Sequence, residues 1–267
     1  MSLRSSWRSW CRVASLVEGV RMKLLVVNAN TSPQVTDLVV QEARRAAQPG
    51  TEIVCATGRF GARIISTRAE NAIAHHAMVE LVAEHHRGCD AVLIGVSYDT
   101  GLAAVRELLP IPVVGMTEAA LHSACFLGGR FGMITFDRRS EAVYREIIAG
   151  YGLTARLGAL RSIQASPADM YRDPSIVEAK VVEAGQKLVE EDNVDVIIIS
   201  GAAMAGMPRR VQDRLKVPAI DGVNCGTRLA EMLAAMKLPK PRSGSYAAVP
   251  EKELVDVAPA IQALYRG

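Results

Sequence analysis

The sequence predicts an α/β protein of two similar lobes, each a parallel sheet of about four strands flanked by helices. Short apolar runs alternate with stretches of helical periodicity along the chain. Hydrophobic residues make up 49% of the chain and aromatic residues only 4%, so the core must consist of aliphatic side chains, as in buried parallel strands. One strand–loop–helix–strand unit also occurs twice, about 100 residues apart, which is too far for a solenoid repeat.

The order of the elements follows from the apolar runs. The first run, Met22 to Val27, ends in a polar loop, and Ser32 is expected to cap a helix that begins at Pro33. Further strands are predicted at 52–56, 91–96, 113–114, 131–136, 194–200 and 219–220. Because helical stretches separate these strands, we expect parallel sheets with right-handed crossovers.

The repeated unit predicts two equivalent loops. One copy begins at Ala91 and ends in the strand after Pro112, and the other begins at Val194 and ends in the strand after Pro218. Each contains a loop of small residues and an amphipathic helix, predicted at 103–109 and 208–215. Ligands of open parallel sheets bind at the carboxyl ends of the strands. Two facing lobes therefore predict a pseudo-twofold molecule with an active-site cleft between them.

We expect the first lobe to comprise residues 22–116 and 222–267, and the second to comprise residues 117–221. Residues 1–21 are expected to be a disordered extension or to lie upstream of the true start, because Met22 opens a clean first strand. This segment is rich in Arg and Ser but lacks the apolar core of a signal peptide.

Charge and motifs favour a small-molecule partner. The formal net charge is +3, and residues 1–21 carry four arginines against one glutamate, which leaves 27 basic and 27 acidic residues in the remaining chain. A neutral body has no long-range field that attracts nucleic acid or an anionic membrane surface, and no apolar run of about 18 residues is available to span a membrane. The sequence contains neither a Gly-x-Gly-x-x-Gly fingerprint nor a P-loop, so we expect no cofactor.

The cysteines and histidines do not predict a metal site. Five cysteines without C-x-x-C spacing argue against a disulfide framework and a structural zinc site, and they fit a reducing cytoplasm. The pairs His75–His76 and His85–His86 lie about three turns apart on one predicted helix, too far apart for a single metal ion.

Four segments carry a family resemblance: VNANTS at 27–32, DTGL at 99–102, PVVGMTEAALHSACFLGGRFGMIT at 112–135 and VPAIDGV at 217–223. Together they resemble the aspartate/glutamate/hydantoin racemase superfamily, most closely its hydantoin and allantoin racemase branch, over residues 22–240. The resemblance implies a homo-oligomeric enzyme that needs no cofactor. It also implies a mechanism in which two cysteines approach the substrate α-carbon from opposite faces, one removing the proton and the other returning it.

This chain departs from the family pattern at both cysteines. The family's C-x-x-D-P/T-G-L motif places Val96 at the first cysteine position, or Ser97 if the loop is shifted by one residue, and its C-A-G-M motif places Gly201 at the second. Valine and glycine transfer no proton, and a serine hydroxyl is a poor base for carbon near neutral pH. None of the five cysteines falls in either loop, and Cys125 and Cys225 lie in predicted helices, where we expect buried structural residues.

Substrate binding is predicted for the loops at the strand ends. Asn28, Asn30, Thr31 and Ser32 precede a helix start, where side-chain donors and free backbone N–H groups suit an anion or an imide carbonyl; helix capping alone is the alternative. The resemblance implies that this loop and the small residues of the two other loops hold the substrate carboxylate or ring carbonyls. Asp221 is expected to face the cleft or to cap the next helix. The remaining predicted binding residues are Val96, Thr100, Thr117, Ser200, Gly201, Ala202 and Ala203.

Ser97, Tyr98 and Asp99 are candidate catalytic residues. Asp99, if partly buried, would act as a general base with Tyr98 as acid or oxyanion donor, although Asp-Thr-Gly is also an ordinary helix-entry turn. Glu118 and His122 are four residues apart on one predicted helix face, so they are expected to form either a catalytic carboxylate–imidazole pair or a structural hydrogen bond.

Three functional hypotheses remain open from the sequence. The first is a cofactor-independent enzyme of this superfamily that acts on a small carboxylate, hydantoin-like or amide substrate by non-thiol chemistry, as an isomerase, decarboxylase, lyase or hydrolase. The second is a hydantoin or amino-acid racemase. The third is a non-catalytic protein that binds a small molecule in the same cleft.

Overall fold

A computed structural model describes residues 22–266, so the expectation for residues 1–21 lies outside the described residues. The chain forms two four-stranded parallel sheets. The strands are β1 (Lys23–Asn28), β2 (Glu52–Thr57), β3 (Ala91–Ile94), β4 (Val113–Gly115), β5 (Phe131–Thr135), β6 (Leu157–Ser162), β7 (Val196–Ile199) and β8 (Ala219–Ile220). The first sheet has the order β2-β1-β3-β4 and the second the order β6-β5-β7-β8, which confirms the predicted α/β fold of two similar lobes.

Helices flank both sheets. They are α1 (Pro33–Ala46), α2 (Arg68–His85), α3 (Leu102–Leu108), α4 (Met116–Leu127), α5 (Arg138–Gly150), α6 (Pro167–Arg172), α7 (Pro174–Glu190), α8 (Met207–Val211), α9 (Gly222–Met236) and α10 (Pro259–Leu264). Within the described residues, no helix is both long and apolar enough to cross a membrane.

Each sheet is buried on both faces, because successive side chains of a strand point to opposite sides. In β1, Leu25 and Val27 pack against α2, whereas Leu24 and Val26 pack on the side of α1 and α9. In the second sheet, Ile197 packs on the side of α7. The strands therefore read as continuous apolar runs.

The predicted repeat corresponds to equivalent positions in the two sheets. The third and fourth strands of the first sheet, β3 and β4, have β7 and β8 as their counterparts in the second. The equivalence extends further: β5 takes the place of β1, and β6 that of β2. Each sheet therefore presents comparable loops at its carboxyl edge.

The sequence pattern missed one strand. Strand β6 lies at the edge of the second sheet, is only half-buried along most of its length, and ends in Arg161 and Ser162, so it lacks an apolar run. The second copy's helix is also shorter than expected, because α8 ends at Val211 and a 3-10 turn continues to Arg214.

Candidate active site

The two repeated loops meet at a cavity between the sheets. The backbone N–H of Ala202, after β7, donates a hydrogen bond of 2.8 Å to Oγ of Ser97, after β3. A cavity of about 70 Å³ lies beside this contact. Seven of the predicted site residues line it, and they come from three different loops: Asn30, Val96, Ser97, Tyr98, Gly201, Ala202 and Ala203.

Val96 and Gly201 both face this cavity. Val96 is buried, and Gly201 has a φ of 120°, a backbone conformation that residues with a side chain rarely adopt. A Cβ atom added at Gly201 would lie 2.9 Å from Cε2 of Phe136, which follows β5. Neither position offers a proton-transfer group.

A chain of hydrogen bonds connects three side chains of the cavity wall. The Tyr98 hydroxyl lies 3.2 Å from both the Ser66 backbone oxygen and Oγ of Ser140, and its one hydrogen is donated to one of these acceptors at a time; Ser140 Oγ donates to Oδ2 of Asp137 at 3.2 Å. The other Asp137 oxygen, Oδ1, accepts from the backbone N–H groups of Arg139 and Ser140 and so caps α5. All three side chains line the cavity, so a proton taken up at Tyr98 has a continuous path to a carboxylate.

Burial keeps the cavity tyrosines protonated. It is the main reason why the pKa values of Tyr98 and Tyr144 lie above the ordinary value for a phenol. The two rings meet edge to face with their centroids 5.5 Å apart. Both side chains therefore act as neutral hydroxyl groups near pH 7.

Two further groups are placed to donate to a substrate oxygen. The Asn28 Oδ1 atom accepts from both the backbone N–H and Nδ2 of Asn30, which fixes the orientation of the Asn30 amide, and Asn30 Oδ1 accepts from the backbone N–H of Ile65. One hydrogen of that amide nitrogen remains for a ligand. Ser97 Oγ accepts from the Ala202 N–H, and its hydroxyl hydrogen can be donated to the Tyr144 hydroxyl beside it or to a ligand.

The structure places Asp99 outside the cavity lining, in a capping position. Its carboxylate accepts from the backbone N–H groups of Thr117 and Glu118, in the first turn of α4, and from the hydroxyl of Tyr151. Gly115, the residue before α4, has no side chain to cap the helix, and a Cβ there would lie 2.5 Å from the Asp99 carboxyl carbon. Burial raises the pKa of Asp99 to about 7, although these three donors oppose the shift. This arrangement favours the helix-entry alternative over a general base.

The expected carboxylate–imidazole pair does not form. Glu118 is held by the guanidinium of Arg106, with 2.6 Å between Oε2 and Nη2. His122 is exposed, its Nδ1 lies 2.9 Å from the Glu118 backbone oxygen, and its ring packs against Tyr151. Helical spacing brings the two residues to one face, but Arg106 from α3 takes the carboxylate. Both residues line a depression beside β4 and not the cavity.

The other predicted binding residues serve mainly to shape the loops. Thr117 Oγ1 donates to the Ser97 backbone oxygen, Thr100 Oγ1 to Asn71, and Ser200 Oγ to the Ile134 backbone oxygen. Asp221 occupies the capping position of α9, where it accepts from the Asn224 N–H, and it also accepts from the Gly206 N–H. The remaining three, Asn28, Thr31 and Ser32, lie on the first loop but outside the cavity lining.

Comparisons with known proteins agree with this architecture. The family model described as Asp/Glu/Hydantoin racemase matches residues 24–230. This chain belongs to the Asp/Glu/hydantoin racemase family. It is 31% identical over 234 residues to a hydantoin racemase of Paenarthrobacter aurescens, covering 87% of this chain and 99% of that protein.

Two solved structures show the same fold. An allantoin racemase from Pseudomonas fluorescens superposes with a TM-score of 0.84 at 31% identity, covering 88% of this chain and 100% of the other. A variant of arylmalonate decarboxylase superposes with a TM-score of 0.63 at 17% identity, covering 85% and 98% of the two chains. The second likeness concerns the fold alone.

The four cysteines that the structure describes lie outside the cavity of this racemase-family chain. Cys55 is exposed and Cys89 is buried, whereas Cys125 and Cys225, which were expected to be buried, are only half-buried. Burial raises the pKa of the Cys225 thiol to about 11, so it is not a thiolate at neutral pH. Within the part of the chain that the structure describes, no group of three or more acidic, His or Cys side chains is arranged to hold a metal ion.

Several cavity residues were not predicted from the sequence. Phe136, Asp137 and Ser140 follow β5, Tyr144 lies on α5, and Ser66 precedes α2. A signal for the first three was present in the repeat. Because β5 is the counterpart of β1, the loop after Thr135 is the counterpart of the polar loop after Val27.

Proposed function

We propose that this chain is a racemase-type isomerase without catalytic thiols, which transfers a proton at a carbon next to a carbonyl of a small hydantoin-like substrate. The observation that carries the proposal is the hydrogen-bonded chain Tyr98–Ser140–Asp137 in the cavity that Val96 and Gly201 also line. The resemblance assigns the latter two positions to cysteines. Another residue must therefore transfer the proton. The hydrogen bonds from Tyr98 through Ser140 to Asp137 connect the cavity to a carboxylate that can accept it.

The proposed step is a concerted proton relay. The carbon–hydrogen bond of the substrate breaks, its proton passes to the Tyr98 oxygen, the Tyr98 proton passes to Ser140, and the Ser140 proton passes to Asp137. The electron pair of the broken bond moves into the adjacent carbonyl to give an enolate. Because Tyr98 stays neutral throughout, its raised pKa does not prevent the step.

The enolate oxygen needs hydrogen-bond donors. Asn30 Nδ2 has one hydrogen beyond the one that it donates to Asn28, the Ser97 hydroxyl can exchange its Tyr144 partner for a ligand, and both side chains are held in place by hydrogen bonds. Donors that are already in place when charge develops lower the barrier without reorganisation. They take the role of an oxyanion hole in this proposal.

The cavity and its surroundings favour a substrate with a compact reacting group, which fits inside the cavity, and a substituent that extends out of it. The cavity of about 70 Å³ is far smaller than the usual ligand pocket of ~300–1,000 Å³. Ser66 and Asp137 also border an open depression with Arg138, Arg139 and Gln164, where a substituent would extend toward solvent.

The names of the relatives favour a hydantoin and racemisation-type chemistry over hydrolysis or elimination. A homo-oligomer in the cytoplasm remains part of the proposal.

Proton exchange in D₂O tests this function. The substrates are the two enantiomers of 5-benzylhydantoin, and the loss of the C5 proton signal is followed by NMR after subtraction of the spontaneous rate. Tyr98→Phe should lower the exchange rate at least ~100-fold, since a positioned acid–base group contributes that much or more. Tyr171→Phe, at a half-exposed tyrosine outside the cavity, is the matched control and should leave the rate unchanged.

The alternatives give different outcomes. If this chain were a hydantoin racemase that works through two thiols, iodoacetamide would abolish exchange and Tyr98→Phe would not. If the wild type shows no exchange but 5-benzylhydantoin raises its melting temperature, the non-catalytic binding protein is supported. Full activity of a correctly folded Tyr98→Phe variant would overturn the relay.

A further inference from the structure

The open depression beside the active-site cavity carries two arginines. It has a volume of about 430 Å³ and is lined by Ser66, Asp137, Arg138, Arg139 and Gln164. Ser66 and Asp137 also line the cavity, so the two spaces adjoin at these residues. The part of a substrate that does not fit into the cavity of about 70 Å³ therefore finds room beside two guanidinium groups.

Both guanidinium groups are accessible to a ligand. Arg138 and Arg139 are exposed, and within the part of the chain that the structure describes neither forms an ion pair. Arg68, which follows Ser66 by two residues, is by contrast paired with Glu146. A guanidinium presents a planar fork of N–H donors that matches the two oxygens of a carboxylate. The pair Arg138 and Arg139 is therefore suited to an anionic group on a bound molecule.

The carboxylates near the depression already have donors. Asp137 accepts three hydrogen bonds at the start of α5, two from backbone N–H groups and one from the Ser140 hydroxyl. Glu70 accepts from the N–H and the hydroxyl of Ser66 and from the N–H of Thr67. The lining has two arginines against the single carboxylate of Asp137, and this excess of positive charge favours an anion.

We infer that the substrate carries a carboxylate on the substituent of its reacting carbon, and that Arg138 and Arg139 select this group. The inference rests on the function proposed above and names the substrate class of the same site, hydantoins with an acidic side chain at C5. The reacting ring occupies the cavity, and the carboxylate accepts hydrogen bonds from the guanidinium groups in the depression. The two arginines determine specificity and take no part in proton transfer.

A carboxylate substrate and its uncharged isostere separate the effect of charge from that of shape. The substrates are 5-(2-carboxyethyl)hydantoin and 5-(2-carbamoylethyl)hydantoin, and C5 proton exchange in D₂O is followed by NMR after subtraction of the spontaneous rate. The kcat/KM of the carboxylate should exceed that of the amide at least about fivefold, since one exposed ion pair contributes up to this factor and two arginines are present. In ~1 M NaCl the ratio should fall toward one, because salt screens exposed charges.

Substitution of the arginines tests their role in this preference. In Arg138→Gln/Arg139→Gln the ratio of the two kcat/KM values should fall to within about twofold of one. Arg145→Gln is the matched control and should keep the wild-type ratio, since Arg145 is also exposed on α5 but lies outside the lining of the cavity and of the depression. Arg138→Glu/Arg139→Glu should bring the ratio below one, and glutamates in the first turn of a helix suit its dipole, so this variant is expected to fold.

Binding distinguishes a failure of this inference from a failure of the proposed function. Exchange with equal kcat/KM for the two substrates, or a preference that survives in Arg138→Gln/Arg139→Gln, would overturn the inference and leave the proposed function standing. If neither substrate exchanges, isothermal titration calorimetry with the same two compounds decides. Tighter binding of the carboxylate that is lost in the double glutamine variant would then support the inference although the proposed function fails. Equal affinity, or no binding of either compound, would overturn it.

Discussion

At the scale of single residues, the proposed relay depends on Asp137 as the final proton acceptor. The same carboxylate caps α5, so a substitution must separate the two roles. Asp137→Asn keeps an oxygen for the backbone N–H groups but cannot take up a proton, and we expect the C5 exchange rate to fall ~100-fold or more with little change in stability. Asp173→Asn is the matched control, since Asp173 caps α7 in the same way and lies outside the cavity. An active Asp137→Asn variant with intact folding would rule out the relay.

At the scale of elements, the α4 N-terminus shows how one loop organises a helix. Its Gly115 offers no capping side chain, and Asp99 supplies the missing acceptor for the N–H groups of Thr117 and Glu118. Asp99→Ala leaves these donors without their acceptor, and we expect a loss of about 1–3 kcal/mol in unfolding free energy at pH 6. Asp37→Ala, at an exposed position of α1, is the control and should change the unfolding free energy by less than ~0.5 kcal/mol. Chemical denaturation measures both, and equal effects would contradict the capping role.

The sequence predicts most of the strands and the meeting of the two loops, but not the side-chain partners between elements. Alternating apolar runs and the repeat predict both sheets and seven of the eight strands, because buried parallel strands need continuous aliphatic residues. Strand β6 is missed because it is only half-buried along most of its length and its sequence, which contains Arg161 and ends in Ser162, has no continuous aliphatic run. The loops at Val96 and Gly201 are predicted to meet, and they do. Side-chain partners on separate elements, such as Ser140 for Tyr98 or Arg106 for Glu118, depend on packing between elements, which spacing along the chain does not encode.

At the scale of the whole molecule, two buried carboxyl groups make stability depend on pH. Burial raises the pKa of Asp99 to about 7 and also raises that of Asp221, from ordinary values of 3.8. Between the unfolded and folded pKa values, the folded chain holds more protons than the unfolded chain, so the contribution of these groups to stability falls as pH rises. The unfolding free energy of the wild type relative to Asp99→Ala should therefore decrease from pH 5 to pH 8, with most of the change complete slightly above pH 7. Denaturation of both proteins across this range measures the difference, and a difference that grows with pH would show that the three donors to Asp99 outweigh its burial.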